Sequence, residues 1–253
     1  MDVVCIGSGN VATHLAKALF DAGFTIKQVM SRTLFNAEAL ARQVNATWTN
    51  RTEEIAAADI YFYSVSDSAL EETIRRNPQQ NGLHVHTAGS MPLSLFDGQK
   101  QHYGVLYPLQ TFSKEKQLDF SVIPLFVEAN DADSLAILKE IAGKLSRKVY
   151  EAGSEQRQQL HLAAVFSCNF ANHLFTIADA LLQETGLPFE ALRPLIQETI
   201  DKTATLPPLN AQTGPAVRND TNVMEKHLSQ LAAHPQWQEI YRLISKDIST
   251  THH

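Results

Sequence analysis

The segment Val3-Val4-Cys5-Ile6-Gly7-Ser8-Gly9-Asn10-Val11-Ala12 constrains this chain more than any other. In it a short apolar strand runs directly into Gly-x-Gly-x-x-Ala, and a helical pattern follows. Gly7 permits a tight bend, Gly9 has no Cβ to hold a pyrophosphate off the backbone, and Ala12 lets the helix pack closely on the sheet. Phosphates would rest on the helix N-terminus, where free N–H groups and the macrodipole favour negative charge. Val11, Leu15, Ala18 and Leu19 give the helix an apolar face. The expectation is a dinucleotide-binding turn built from Gly7, Ser8, Gly9, Asn10, Val11 and Ala12.

Strand-like and helix-like segments then alternate up to about residue 150. The strand patterns span 2–6, 25–30, 59–64, 83–87, 103–106, 121–128 and 148–150, with helical patterns at 11–22, 34–43, 68–76 and 132–145. Such alternation implies a doubly wound, mostly parallel sheet of the Rossmann kind over residues 1–152. The period changes at Gly153. From Ser154 to Gly186 the chain reads as one helix, about 50 Å long at 1.5 Å per residue. Its apolar residues, among them Leu160, Phe166, Phe170, Leu174 and Leu181, form a stripe too wide to be covered from one side. Helical patterns at 189–203, 220–232 and 236–248 complete an all-helical domain over 153–253, with Thr251-His252-His253 read as a frayed end.

Composition narrows the classes of function. The 253 residues are 44% hydrophobic and 19% charged, with a net charge of -6, and no basic stripe is present, which argues against a nucleic-acid partner. No apolar run approaches a membrane span and no signal segment precedes the first strand, so a cytoplasmic protein is expected. Cys5 and Cys168 lack metal-ligand spacing and read as small core residues. His84 and His86 fall on one face of a strand without matching Cys, Asp or Glu, and read as satisfied core histidines. No metal site is expected.

Folds of this kind that bind NAD usually carry an acidic residue at the end of the second strand, to hold the ribose hydroxyls. Here that place is Ser31-Arg32-Thr33. A guanidinium flanked by two hydroxyls would bind a 2′-phosphate that a carboxylate would repel, so NADP(H) is the expected cofactor. Ligands in such sheets lie beyond the carboxyl ends of the strands, which adds Ser64, Val65 and Ser66 after one strand and Thr87 and Gly89 after the next. Asp67 and Ser90, in the same loops, also suit helix N-caps.

Two constellations in the helical domain could carry chemistry. On an unbroken α-helix, His161 and Asn169 lie eight residues apart and within about 80° around the axis. The second, Thr213-Gly214-Pro215-Ala216-Val217-Arg218-Asn219-Asp220, is a rigid loop that presents one arginine and enters a helix at an Asp cap, with His227 two turns on. Interhelical hydrogen bonding and capping would account for the same residues.

Together these motifs resemble the bacterial proteins that join a Rossmann-like domain to a C-terminal domain of unknown function. Those proteins are distant relatives of pyrroline-5-carboxylate reductase and of deazaflavin-dependent NADP oxidoreductases. The markers are Gly7 to Ala12, His86-Thr87-Ala88-Gly89-Ser90, Pro108-Leu109-Gln110-Thr111-Phe112, His161 to Val165 with Asn169, and Thr213-Gly214-Pro215 with Arg218 and Asp220. The resemblance covers nearly the whole chain. It implies a cofactor domain, a helical domain that pairs with its copy in a homodimer, and a small-molecule substrate bound in a cleft between the two domains. Two departures matter. Related hydroxyacid dehydrogenases place a lysine where this chain has Val165, four residues before Asn169. The family also often has His where this chain has Tyr107, and a phenol gives up a proton less readily near neutrality.

The expected activity is NADP(H)-dependent hydride transfer to or from a small C=O or C=N substrate. His161 is the expected acid or base, Asn169 orients substrate, and Arg218 and Tyr107 contact it. The alternative is a catalytically silent NADP(H)-binding sensor, kept open by the missing lysine. A deazaflavin hydride partner stays open as well.

Overall fold

A computed structural model describes all residues from Met1 to His253. Long apolar runs supply the strands of one eight-stranded sheet. The first half of the chain reads β1 (Asp2–Ile6), α1 (Asn10–Asp21), β2 (Thr25–Met30), α2 (Leu34–Ala41), β3 (Thr47–Thr49), β4 (Ile60–Tyr63), α3 (Asp67–Arg76) and β5 (Leu83–His86). After these come β6 (His102–Pro108), β7 (Leu125–Ala129), α4 (Ala132–Leu145) and β8 (Val149–Glu151). The sheet order is β3-β2-β1-β4-β5-β6-β7-β8, and every pair is parallel except β6 with β7. This is the doubly wound Rossmann arrangement, in which the strand order reverses beside β1 and leaves a crevice at the carboxyl ends.

Burial on both faces explains the continuous apolar strands. β4 and β5 are wholly buried. On one face Leu15, Leu19, Leu40, Leu138 and Ile141 pack from α1, α2 and α4. On the other, Leu70 and Ile74 of α3 meet Tyr61, Tyr63 and Phe96. The strand β3, Thr-Trp-Thr, is too short to read as a strand by pattern.

The chain forms two compact units, Met1–Cys168 and Asn169–His253. The long helix starts at Ser154 as expected, and the last strand ends at Glu151, one residue beyond the expected end. The first turns of that helix, α5 (Ser154–Ala164), nevertheless belong to the sheet-bearing unit, held there by Arg157. The helix also changes character. Residues Val165–Phe170 are π-helical before α6 (Ala171–Gln183) resumes the α form, so α-periodicity does not carry from His161 to Asn169. Single π turns of this kind occur frequently at functional sites.

The second unit continues with α7 (Arg193–Thr205), the short α8 (Pro208–Ala211), α9 (Thr221–Gln230) and α10 (Pro235–His252). Asp220 caps α9 by accepting from the backbone N–H of Val223. The chain end is not frayed. α10 runs to His252, and His253 Nε2 lies 2.9 Å from the carbonyl of Val217. None of the residues of α6, α7, α9 or α10 is buried, and Leu195, Leu243 and Ile200 are 64%, 71% and 56% exposed. No helix is long and apolar enough to cross a membrane.

Candidate active site

The dinucleotide turn owes its shape to Gly7. Its φ of 122° is open to glycine, and a Cβ there would collide with the carbonyl of Ser64. That close approach lets the turn hydrogen-bond to both neighbouring strands, through Gly7 N–H to Met30 O at 2.8 Å and Ser64 N–H to Ile6 O at 2.7 Å. Ser8 Oγ lies 2.7 Å from Ser31 Oγ, fixing the turn to the end of β2. At Gly9 the Cβ direction meets nothing within 4 Å. The open space there is the cleft itself.

A cleft of about 290 Å³ lies at these carboxyl ends, lined by Gly7, Ser8 and Gly9, by Ser31, Arg32 and Thr33, and by Ser64, Val65 and Ser66. Pockets for small ligands run from roughly 300 to 1,000 Å³. The volume therefore suits the phosphate and ribose end of a dinucleotide rather than the whole molecule. Met30, Asn36, Ala69, Thr73 and Lys114 complete the wall. Sequence reasoning passed over Lys114, because Ser113-Lys114-Glu115-Lys116 reads as an ordinary solvated loop. The bare backbone at Gly9 and the cations Arg32 and Lys114 fit a phosphorylated dinucleotide.

Other expected contacts lie elsewhere. Ala12 is buried against the sheet, and the Asn10 amide donates to Phe112 O at 2.8 Å. Thr87 is buried and donates to Ser64 Oγ at 3.1 Å, supporting the loop from behind. Neither Asp67 nor Ser90 caps a helix with its side chain. Ser66 precedes α3, and the Ser90 hydroxyl donates to the Asp67 carboxylate in a short hydrogen bond that joins the loops after β4 and β5.

Gly89 sits at a second constellation. Tyr107 Oη at the end of β6 lies 3.2 Å from His161 Nδ1 on α5. A Cβ on residue 89 would come within 2.7 Å of Tyr107 Cζ and 2.8 Å of His161 Nδ1. Only glycine leaves the pair in place. Burial pushes the Tyr107 phenol above its ordinary range, partly offset by the positive charge of Arg157. The phenol is therefore protonated at neutral pH and available as a donor.

Arg157 organises this region and went unnoticed in the sequence, where a charged residue early in a helix looks solvated. It is 0% exposed. Its guanidinium forms a short ion pair with Glu128 and donates to Met91 O at 2.5 Å and to Ala88 O at 3.3 Å. Ser154 Oγ bonds to the same carboxylate at 3.0 Å. One buried arginine thus ties β7, the start of α5 and the loop that carries Gly89.

The two strand histidines are core residues, but only half satisfied. Tyr63 Oη lies 2.9 Å from His84 Nδ1, and His86 Nδ1 accepts from Ala88 N–H at 3.2 Å, while both Nε2 atoms are buried without a partner. Burial pushes each ring down to about 3, helped by the charge of Lys100 at His84 and of Arg157 at His86. The carbonyls of Asn81 and Pro92 pull weakly the other way without reaching hydrogen-bond geometry at Nε2. Cys5 is buried as expected, whereas Cys168, expected in the core, is exposed on the π segment, where no residue is buried. No cluster of His, Cys, Asp and Glu is placed to hold a metal ion.

In the second unit, Asn169 is exposed on the π segment and Arg218 on the turn between Gly214 and Asp220. Ser249 on α10 donates to Asn219 Oδ1 at 2.5 Å, steadying that turn. His227 is engaged in structure, with Nδ1 2.8 Å from Tyr241 Oη.

Residues 2–85 match the family described as NADP oxidoreductase coenzyme F420-dependent, and residues 123–248 match a domain of unknown function, DUF2520. A crystal structure of a candidate NADP oxidoreductase from Bacteroides fragilis is 48% identical, covers 98% of each chain and superposes with a TM-score of 0.94. The chain belongs to this family. More distant relatives share the fold. A reductive aminase from Aspergillus terreus in complex with NADPH is 16% identical with a TM-score of 0.72, over 98% of this chain and 92% of that one. A 1-pyrroline-5-carboxylate reductase from Streptococcus pyogenes is 13% identical with a TM-score of 0.65, over 99% and 98%. Comparison with curated proteins returns no match.

Proposed function

We propose that the chain is an NADP(H)-dependent reductase of a small C=O or C=N compound, with Tyr107 and His161 as its proton-handling pair. Membership of a family related to NADP oxidoreductases, and a cleft with two cations and bare glycine backbone, support the cofactor. When bound, NADPH supplies a hydride to the substrate carbon. The protein must then deliver one proton to the oxygen or nitrogen. The observation that carries this reading is the 3.2 Å approach of Tyr107 Oη to His161 Nδ1 beside Gly89. A phenol held protonated by burial and bonded to an imidazole can pass a proton outward and be resupplied from solvent through the ring, which takes up a proton at one nitrogen as it gives one up at the other. This pair takes the place of the lysine that the family's dehydrogenase relatives carry at the position of Val165.

In the helical unit, Asn169 is proposed to orient substrate and Arg218 to hold an anionic group on it. The exposed apolar residues of that unit support a homodimer formed by two copies of it, since a monomer would leave Leu195, Ile200 and Leu243 in water. NADPH consumption on presenting the protein with pools of keto acids, aldehydes and cyclic imines tests the proposal. Tight NADPH binding with no turnover on any pool would overturn it in favour of a sensor.

A further inference from the structure

Between β6 and β7 the chain crosses to the dinucleotide turn as a strap, from Leu109 to Asp119, with no helix or strand of its own. It is fastened to the first turns of α1 at two successive residues. Asn10 Nδ2 donates to Phe112 O at 2.8 Å, and His14 Nε2 lies 2.9 Å from Ser113 O. The Phe112 ring packs 5.2 Å from the His14 ring and 6.3 Å from that of Phe120, which is buried in the core. The next residue along, Lys114, lines the same cleft as Arg32, Thr33 and Asn36. Neither cation takes part in any of the protein's ion pairs, although the chain as a whole is acidic.

Two unpaired cations facing one cleft suit an anion of more than one charge. A phosphate monoester carries about −1.5 to −2 at pH 7, so one guanidinium leaves it under-compensated. A guanidinium offers a planar fork and an ammonium a compact point charge, and the two can bind one phosphate from different sides. The walls that Lys114 joins, at the end of β2 and the start of α2, are those beside the ribose distal to the nicotinamide in this class of sheet. We infer that Lys114 is a second cationic ligand for the 2′-phosphate of NADP(H), and that the latched strap makes it a determinant of NADP(H) over NAD(H). The inference rests on the cleft being the NADP(H) site.

The test is calorimetric titration of NADPH, NADH and 2′,5′-ADP into wild type, Lys114→Ala, Lys114→Arg and Arg32→Ala at two salt concentrations. Lys114→Ala should weaken NADPH and 2′,5′-ADP about tenfold, leave NADH within twofold, and flatten the salt dependence of NADPH binding. Lys114→Arg should stay within about threefold of wild type. Trypsin cleavage after Lys114 should be slowed by NADPH and not by NADH. Equal losses for NADPH and NADH would put Lys114 on the pyrophosphate and overturn the inference, as would no loss for either. If wild type fails to prefer NADPH and Arg32→Ala changes nothing, the cleft assignment itself falls, an outcome distinct from failure at Lys114 alone.

Discussion

Tyr107 and His161, 54 residues apart in sequence, meet through a 3.2 Å contact between the phenol oxygen and the imidazole Nδ1. Their rings stand edge to face at 70°, with Gly89 beneath both. A strand end, a helix and a glycine loop from three parts of the chain thus meet inside the sheet-bearing half of the molecule, at the unit proposed to handle the proton.

Removing either partner tests that unit. Tyr107→Phe and His161→Ala should each lower kcat by about 10² to 10⁴, the usual range for general acid–base help, while NADPH affinity stays within a few-fold. Melting temperatures read alongside separate chemistry from folding. A stable His161→Ala protein with full activity would remove the imidazole from the mechanism.

Gly89→Ala isolates geometry from chemistry, since it adds one carbon and removes no functional group. The new Cβ must displace Tyr107 or His161, because atoms of both would lie within 2.8 Å of it. We expect kcat to fall at least tenfold with little change in the KM for NADPH. A large rise in that KM with kcat preserved would show instead that Gly89 faces the dinucleotide.

How much of this was legible in the sequence depends on the kind of signal. β1, β2 and α4 follow directly from apolar runs and helical period, and the Gly7 turn follows from its glycines, because backbone and burial constraints act on adjacent residues. The π segment left no trace. Val165-Phe166-Ser167-Cys168-Asn169-Phe170 is as compatible with an α-helix as with a π-helix, and none of the six is buried, so no burial pattern marks the change. Charged residues were the weakest signal. Arg157 and Lys114 each sit in stretches that look solvated, and what distinguishes them is a distant partner, Glu128 for one and the strap latch for the other. Tyr107 and His161 were legible singly, as candidate donors, but their contact was not.

Arg157 should prove the most costly polar side chain to lose. Arg157→Ala leaves Glu128 largely buried without its counter-ion and frees the carbonyls of Ala88 and Met91. Breaking one side of a buried ion pair typically costs about 3–5 kcal/mol. For a chain of this size that corresponds to a fall in Tm of roughly 6–20 °C. Removing both charges, in Arg157→Met with Glu128→Leu, should recover part of the loss, since no buried charge is then stranded. Scanning calorimetry on the three proteins checks both statements, and an Arg157→Ala protein melting within two or three degrees of wild type would contradict the first.

His84 and His86 set an acid limit on stability. Both rings are 0% exposed, and each is held neutral by burial, down to about 3 from 6.5. A base whose folded pKa is depressed binds fewer protons folded than unfolded between those two values. Its stabilising contribution is therefore complete above about pH 6.5 and is lost as pH falls through the window toward 3. The slope is about 1.4 kcal/mol per pH unit for each ring, so urea unfolding at pH 5 should show a deficit of roughly 4 kcal/mol against pH 7. Most carboxylates titrate below this range and add little to it. Changing both residues to Gln removes the titration, and the pH profile between 7 and 5 should flatten even where overall stability drops. A wild-type profile already flat over that interval would mean that the rings take up protons in the folded state, through water reaching Nε2.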